Sequence, residues 1–262
     1  MKTSKSVLAA ALVASLASCV ARAGINAGDQ LSISGTVLPG SDTGYVSYGG
    51  GPAINCYAGA FSLNVVNNTQ GGSSFTIESF CTDVGVEWKN SDTYTARNFA
   101  GQSGVDPKWS GIAGIEDAAY LYNTYFVPNQ KSITLDQDAG LQLAIWKVLY
   151  DSAANGTISS TAFNSGKLQA WNFDGTAMTD AENYVTDINT AIAQGKFVTY
   201  TGLWLDPNDN GSQGLIWTPQ TPGGNGGTVP EPSTIFTGVL LLLPLGVAVS
   251  RVLRNRRVGS PK

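Results

Sequence analysis

Apolar and polar residues alternate with a period of two in several short runs of the chain, and such runs read as half-buried strands. Gln30 to Leu38 alternates weakly. Ala58 to Val66 places Phe61, Leu63 and Val65 on one face, and Phe75 to Val84 repeats the pattern after a turn cluster at Asn67 to Ser73. These two runs predict a hairpin. Phe197 to Leu205 and Gln213 to Trp217 predict closing strands, whereas the glycine-rich Ser41 to Ala53 predicts a loop. Three segments carry a helical period instead: Gly111 to Tyr125, stopped before Pro128, then Asp136 to Ser152, then Thr179 to Gln194. In the last, Thr179 and Glu182 predict a capping box, Val185, Ile188 and Ile192 a buried stripe, and Gly195 the stop. The sum is an α+β fold, β-rich (a sandwich or partial barrel), with about three helices over residues 24–217. A Pro/Gly/Thr linker follows at 218–229, too poor in apolar residues to bury a core. The chain has no internal repeat.

The two ends read differently from the middle. At 1–23, Lys2 and Lys5 precede an apolar run from Val7 to Val20, and Ala21 and Ala23 flank Arg22 as a small-x-small cleavage site. A signal peptide of this form hands the chain to the Sec translocon and leaves Gly24 as the first mature residue. Leu16-Ala17-Ser18-Cys19 offers the alternative of a lipobox, with Cys19 lipidated. Near the other end, the apolar run over 235–253 is long enough, at about 1.5 Å per residue, to cross most of a ~30 Å hydrocarbon layer as a transmembrane helix. Arg251, Arg254, Arg256 and Arg257 at its far flank hold the short tail in the cytoplasm and everything before it outside.

Pro230-Glu231-Pro232, the apolar helix and the arginine cluster together, over 230–257, resemble a PEP-CTERM sorting signal of bacterial surface proteins. The resemblance implies a single-pass membrane intermediate that an exosortase, a membrane protease/transferase, recognises at the Pro-Glu-Pro motif. It also implies a destination at the cell surface or in the extracellular polysaccharide matrix of a biofilm.

Composition narrows the function. The formal net charge of −4 and pI of about 4.8 give no electrostatic footprint for nucleic acid. Only 13% of residues are charged, which suits an exported β-rich domain. The chain has no histidine, which removes His-based acid–base chemistry, the Ser-His-Asp triad and the usual zinc sites. A non-catalytic structural or adhesive protein without a cofactor is therefore the expectation, and no metal is called for.

The remaining chemistry centres on cysteine. The mature chain holds Cys56 and Cys81, and strand parity puts Cys81 on the face of Phe75 and Ile77, pointing inward. On the helix expected at 136–152, Gln142 falls inside an apolar arc between Leu149 and Trp146. A carboxamide there costs roughly 1–3 kcal/mol unless it finds a partner. Phe80-Cys81-Thr82-Asp83 followed by Gln142-Leu143-Ala144-Ile145-Trp146 is similar to the paired motifs of bacterial thioester domains. That resemblance implies Cys81 as the thiolate, Gln142 as the acyl donor that loses ammonia, Trp146 packed over the bond, and a surface amine or hydroxyl as the eventual partner. The threonine that often precedes the glutamine is Leu141 here. A Cys56–Cys81 disulfide and a free buried thiol stand beside the thioester as alternatives, and a core amide bonded to backbone stands as the alternative for Gln142.

Other groupings are weaker. Asp206, Asn208 and Asn210 occupy calcium-loop positions, but Trp217 stands where the last carboxylate ligand belongs, so an Asx-rich turn is the plainer reading. Asp83, Glu87, Asp136 and Asp151 contain no spacing that selects a hydrolytic pair. Trp88, Trp109, Trp171, Trp204 and Trp217 are available either for packing or for stacking on exopolysaccharide.

Overall fold

The computed structural model describes residues 24–37, 42–98, 111–127, 132–200, 202–208 and 211–218. The leader at 1–23, the Pro230-Glu231-Pro232 motif, the apolar run 235–253 and the arginine flank all lie outside them. Among the described residues no helix is long and apolar enough to cross a membrane.

Among the described residues nine strands form two sheets: β1 Gln30–Val37, β2 Asp42–Tyr48, β3 Ile54–Ala58, β4 Phe61–Asn67, β5 Ser73–Cys81, β6 Asp92–Asn98, β7 Leu168–Trp171, β8 Leu203–Pro207 and β9 Leu215–Trp217. Six close into an antiparallel barrel in the order β1-β4-β5-β9-β8-β6, and the other three make a sheet in the order β3-β2-β7. The helices are α1 Ile112–Leu121, continued by a π-helical turn Tyr122–Phe126, then α2 Leu135–Asp151 and α3 Ala177–Ala193. The β-rich architecture with three helices is thus present, and the barrel is closed, not partial.

Register explains the barrel core. Leu31 faces Tyr94, Ile33 faces Val65, Leu63 faces Ile77 and Leu205 faces Leu215, and directly opposed residues share a sheet face. All of these side chains are buried. The hairpin expected from alternation is β4–β5, paired from Phe61↔Ser79 to Asn67↔Ser73.

Several local expectations give way. The segment expected as a loop at 41–53 holds β2. Gly44 is required within that strand because a Cβ there would come within 2.5 Å of the Phe173 ring. β6 and β7 carry too little alternation to stand out. The closing strand expected from Phe197 begins only at Leu203. The Thr179/Glu182 capping box is absent, since α3 starts earlier, at Ala177, with Thr176 as N-cap and no side-chain cap bond. A capping box forms instead on α2, where the Thr134 hydroxyl accepts from Gln137 N–H and Gln137 Oε1 accepts from Thr134 N–H. Gly195 does end α3, with φ 63°.

α2 is the centre of the body. Every residue from Asp138 to Tyr150 is buried, so the helix has no solvent face and its stripe reading dissolves. It packs on α3 and α1, on the β2–β3–β7 sheet and on the end of β5. Thr218, expected as the first linker residue, is also buried and bonds Asn123 through its hydroxyl at 3.0 Å.

Candidate functional site: the Cys81–Gln142 junction

β4 begins only at Phe61, and Phe61↔Ser79 is the outermost pair it makes with β5 toward Cys81. The backbone of Cys81, two residues further along β5, therefore needs another partner on that side. Gln142 from α2 supplies it. Cys81 N–H donates to Gln142 Oε1 at 3.0 Å, and Gln142 Nε2 donates to Cys81 C=O at 2.9 Å. The side-chain amide behaves as a strand neighbour would, and both residues are almost fully buried.

Gln142 belongs to a line of side chains four residues apart on α2, which lie above one another on one helix face. Asp138 Oδ2 accepts from Ala60 N–H at 2.9 Å, where the chain turns into β4. Trp146 stands against the Cys81 thiol; its Nε1 forms no full hydrogen bond, yet it is close enough to favour the thiolate. The Tyr150 hydroxyl accepts from Val84 N–H at 3.0 Å, and its ring packs on Tyr48 of β2 with centroids 4.4 Å apart. Asp138 and Tyr150 escaped the sequence reading. The four-residue spacing of polar-tipped side chains through an otherwise apolar helix was the available signal.

The segment after Cys81 is fixed from the far side by Gly214. Thr82 N–H donates to Gly214 C=O at 2.9 Å, and Gly214 N–H donates to Asp83 Oδ2 at 2.6 Å. A Cβ on Gly214 would lie 2.5 Å from Trp204 Nε1 and 2.7 Å from Thr82 Oγ1, so only glycine fits.

The Cys81 thiol donates to Asp83 C=O at 3.3 Å. Burial pushes its pKa well above the ordinary thiol value, and the Asp83 charge adds to the rise, outweighing the backbone bond and the Trp146 N–H that pull it down. Cys56 on β3 is also raised by burial, to about 12. Both are free thiols in the structure. Asp138 is raised to about 6, chiefly by burial.

The other candidates disperse. Asp206 sits within β8 and accepts from Arg97 Nε at 2.5 Å, while Asn208 Oδ1 accepts from Thr95 at 2.6 Å; Asn210 lies outside the described residues. Among the described residues no cluster of three metal-binding side chains occurs. Asp136 and Asp151 stand at opposite ends of α2, about 22 Å apart at helical rise, too far for a hydrolytic pair. Asp136 caps the start of α3 through Thr176, and Asp151 pairs with buried Lys147 at 2.7 Å. Glu87 is exposed. Trp204 and Trp217 are buried, Trp88 is half-buried beside Phe61 and Tyr94, and Trp109 lies outside the described residues. A cleft of about 300 Å³ beside α1 contains Asp117, but neither Cys81 nor Gln142 lines it.

No protein-family model matches the chain, and no curated protein is similar to it. Solved structures similar to it include the N-terminal thioester domain of a surface protein from Clostridium perfringens, at 12% identity and TM-score 0.37, covering 73% of this chain and 99% of that one. The N-terminal thioester domain of the fibronectin-binding protein SfbI from Streptococcus pyogenes is similar at 11% identity and TM-score 0.37, covering 71% and 98%. Likeness of that size assigns neither family nor chemistry.

Proposed function

We propose that this chain is an exported, non-enzymatic bacterial surface or matrix protein that attaches covalently through a thioester between Cys81 and Gln142. The observation that carries the reading is the double hydrogen bond that clamps the Gln142 carboxamide to the Cys81 backbone. It holds the acyl carbon against the backbone of the residue that carries the buried thiol, an arrangement that would replace a bimolecular encounter by a local one.

In the closing step the Cys81 S–H and Gln142 Cδ–Nε2 bonds break, an Sγ–Cδ bond forms, and the nitrogen leaves as ammonia with the thiol proton. Charge developing on Oε1 falls on the oxygen that already accepts from Cys81 N–H. Burial keeps water from the product. A surface amine or hydroxyl then attacks Cδ, forms an amide or ester with Gln142, and returns the thiol. Export by the leader, recognition of Pro230-Glu231-Pro232 by an exosortase and retention by the apolar tail complete the reading from the sequence side.

Methylamine tests the reaction. Treating the folded chain should place a methylamide on Gln142 and release one additional alkylatable thiol, and Cys81→Ala should abolish both. A second reading has its own support: the same two hydrogen bonds satisfy every polar atom of the Gln142 amide, as a purely structural clamp requires. Folded protein that takes up no methylamine selects the clamp.

A further inference from the structure

The β3-β2-β7 sheet turns one face to the helices and the other outward. Val46, Ala58, Leu168 and Ala170 are buried on the inner side. Register places Tyr45 opposite both Asn55 and Trp171, Thr43 opposite Tyr57, and Ser47 opposite Gln169, so these residues share the outer side. Three of the five exposed large hydrophobic side chains among the described residues cluster there: Tyr45 at 38%, Tyr57 at 65% and Trp171 at 37%. Their surroundings are not those of a core edge. Tyr45 and Trp171 lie nearly parallel, 13° apart with centroids at 6.1 Å. The side chains of Asn55, Tyr57 and Gln169 make no hydrogen bond to the other described residues.

We propose that this outer face binds an extended, neutral polysaccharide with equatorial hydroxyls, of which β-linked glucan is the type. Such a chain is a flat ribbon whose sugar faces present C–H groups and whose edges present hydroxyls. Aromatic rings match the first, and the amides of Asn55 and Gln169 with the tyrosine hydroxyls match the second. The charge pattern selects neutrality. No carboxylate, ammonium or guanidinium occupies an outward position on the paired stretches of β2, β3 and β7. Such a surface offers an anionic polymer no counter-charge and an acidic or basic protein partner no complement. The spread of Tyr45, Trp171 and Tyr57 across three strands selects length, and neither the cleft at Asp117 nor the one at Tyr184 is lined by residues of this face. The surface acts without the Cys81–Gln142 chemistry and stands or falls separately from it.

The test uses the full chain in a zwitterionic detergent, so that no sugar headgroup competes, titrated calorimetrically with cellohexaose. Binding should be insensitive to salt. Tyr57→Ala and Trp171→Ala should each weaken it by roughly tenfold or more. Val198→Ala, which removes an exposed apolar side chain from a loop, should not. Tyr57 is the more exposed residue, so its variant retains the fold even if Trp171→Ala loses the support of the Tyr45 ring. Wild-type protein that takes up no cellohexaose, or platform variants that bind it as wild type does, would overturn the proposal. A chain that self-associates through this face and becomes monomeric in Tyr57→Ala, without sugar binding, would overturn it in favour of a second copy.

Discussion

Gln142 pairs with Cys81 as one strand pairs with another, donor to carbonyl and carbonyl to donor, at a point that β4 does not reach. The helix thereby finishes the sheet. Measured against the unclosed chain, in which the carboxamide is intact, Gln142→Ala removes both bonds and leaves a buried N–H and a buried C=O without partners. Chemical denaturation should show a loss of about 2–5 kcal/mol. Loss well below that range would mean that water or a shifted strand replaces the amide.

Tyr150 serves the same segment two turns further along α2. Tyr150→Phe keeps the ring on Tyr48 and removes the hydroxyl that accepts from Val84 N–H. The expected cost is about 1–2 kcal/mol, with methylamine incorporation at Gln142 unchanged in extent. A large drop in incorporation would show that Val84 anchoring also positions the thiol.

Gly214→Ala drives a methyl into Trp204, Thr82 and the Asp83 carboxylate at once. Overpacking of this kind costs about 1–3 kcal/mol. Because the displaced residues follow Cys81 directly, amide exchange at Thr82 and Gly214 should quicken more than exchange in β1 or β4.

Asp117 sets a pH dependence. Its carboxyl is buried and accepts from the Ser152 hydroxyl at the end of α2 at 2.5 Å. Burial raises its pKa from 3.8 to about 7, with the Glu116 charge adding to the rise. The folded state thus holds the proton more tightly than the unfolded one. That stability is fully present below about pH 4 and is lost as pH rises through about 7. Asp138, raised to about 6, acts in the same direction. Thermal scans between pH 5 and pH 8 should give a falling Tm, and Asp117→Asn should flatten the slope, read against about 2–4 °C per kcal/mol for a chain of this size.

How much of this was legible differs by element. The β4–β5 hairpin declared itself because Phe61, Leu63 and Val65 alternate against a buried face. β2 did not, because Gly44 and the neighbouring Gly49, Gly50 and Gly51 read as loop, while the ring that makes Gly44 necessary lies at Phe173, far along the chain. The α3 cap was misplaced because Thr179 and Glu182 form a good local motif that the docking of Ala177 and Ala181 against α2 overrides. At the site, Cys81 and Gln142 were legible as an oddity, a polar amide in an apolar helix. Asp138 and Tyr150 were not, since their partners are backbone N–H groups at Ala60 and Val84, to which sequence gives no pointer.

Intact mass of the freshly purified, denatured chain tests the central claim most directly, because it counts the atoms that the closing step expels. A Cys81–Gln142 thioester predicts a mass about 17 Da below that of the same chain with both thiols free. A mass equal to the free-thiol chain, or one about 2 Da lower from a Cys56–Cys81 disulfide, would contradict it.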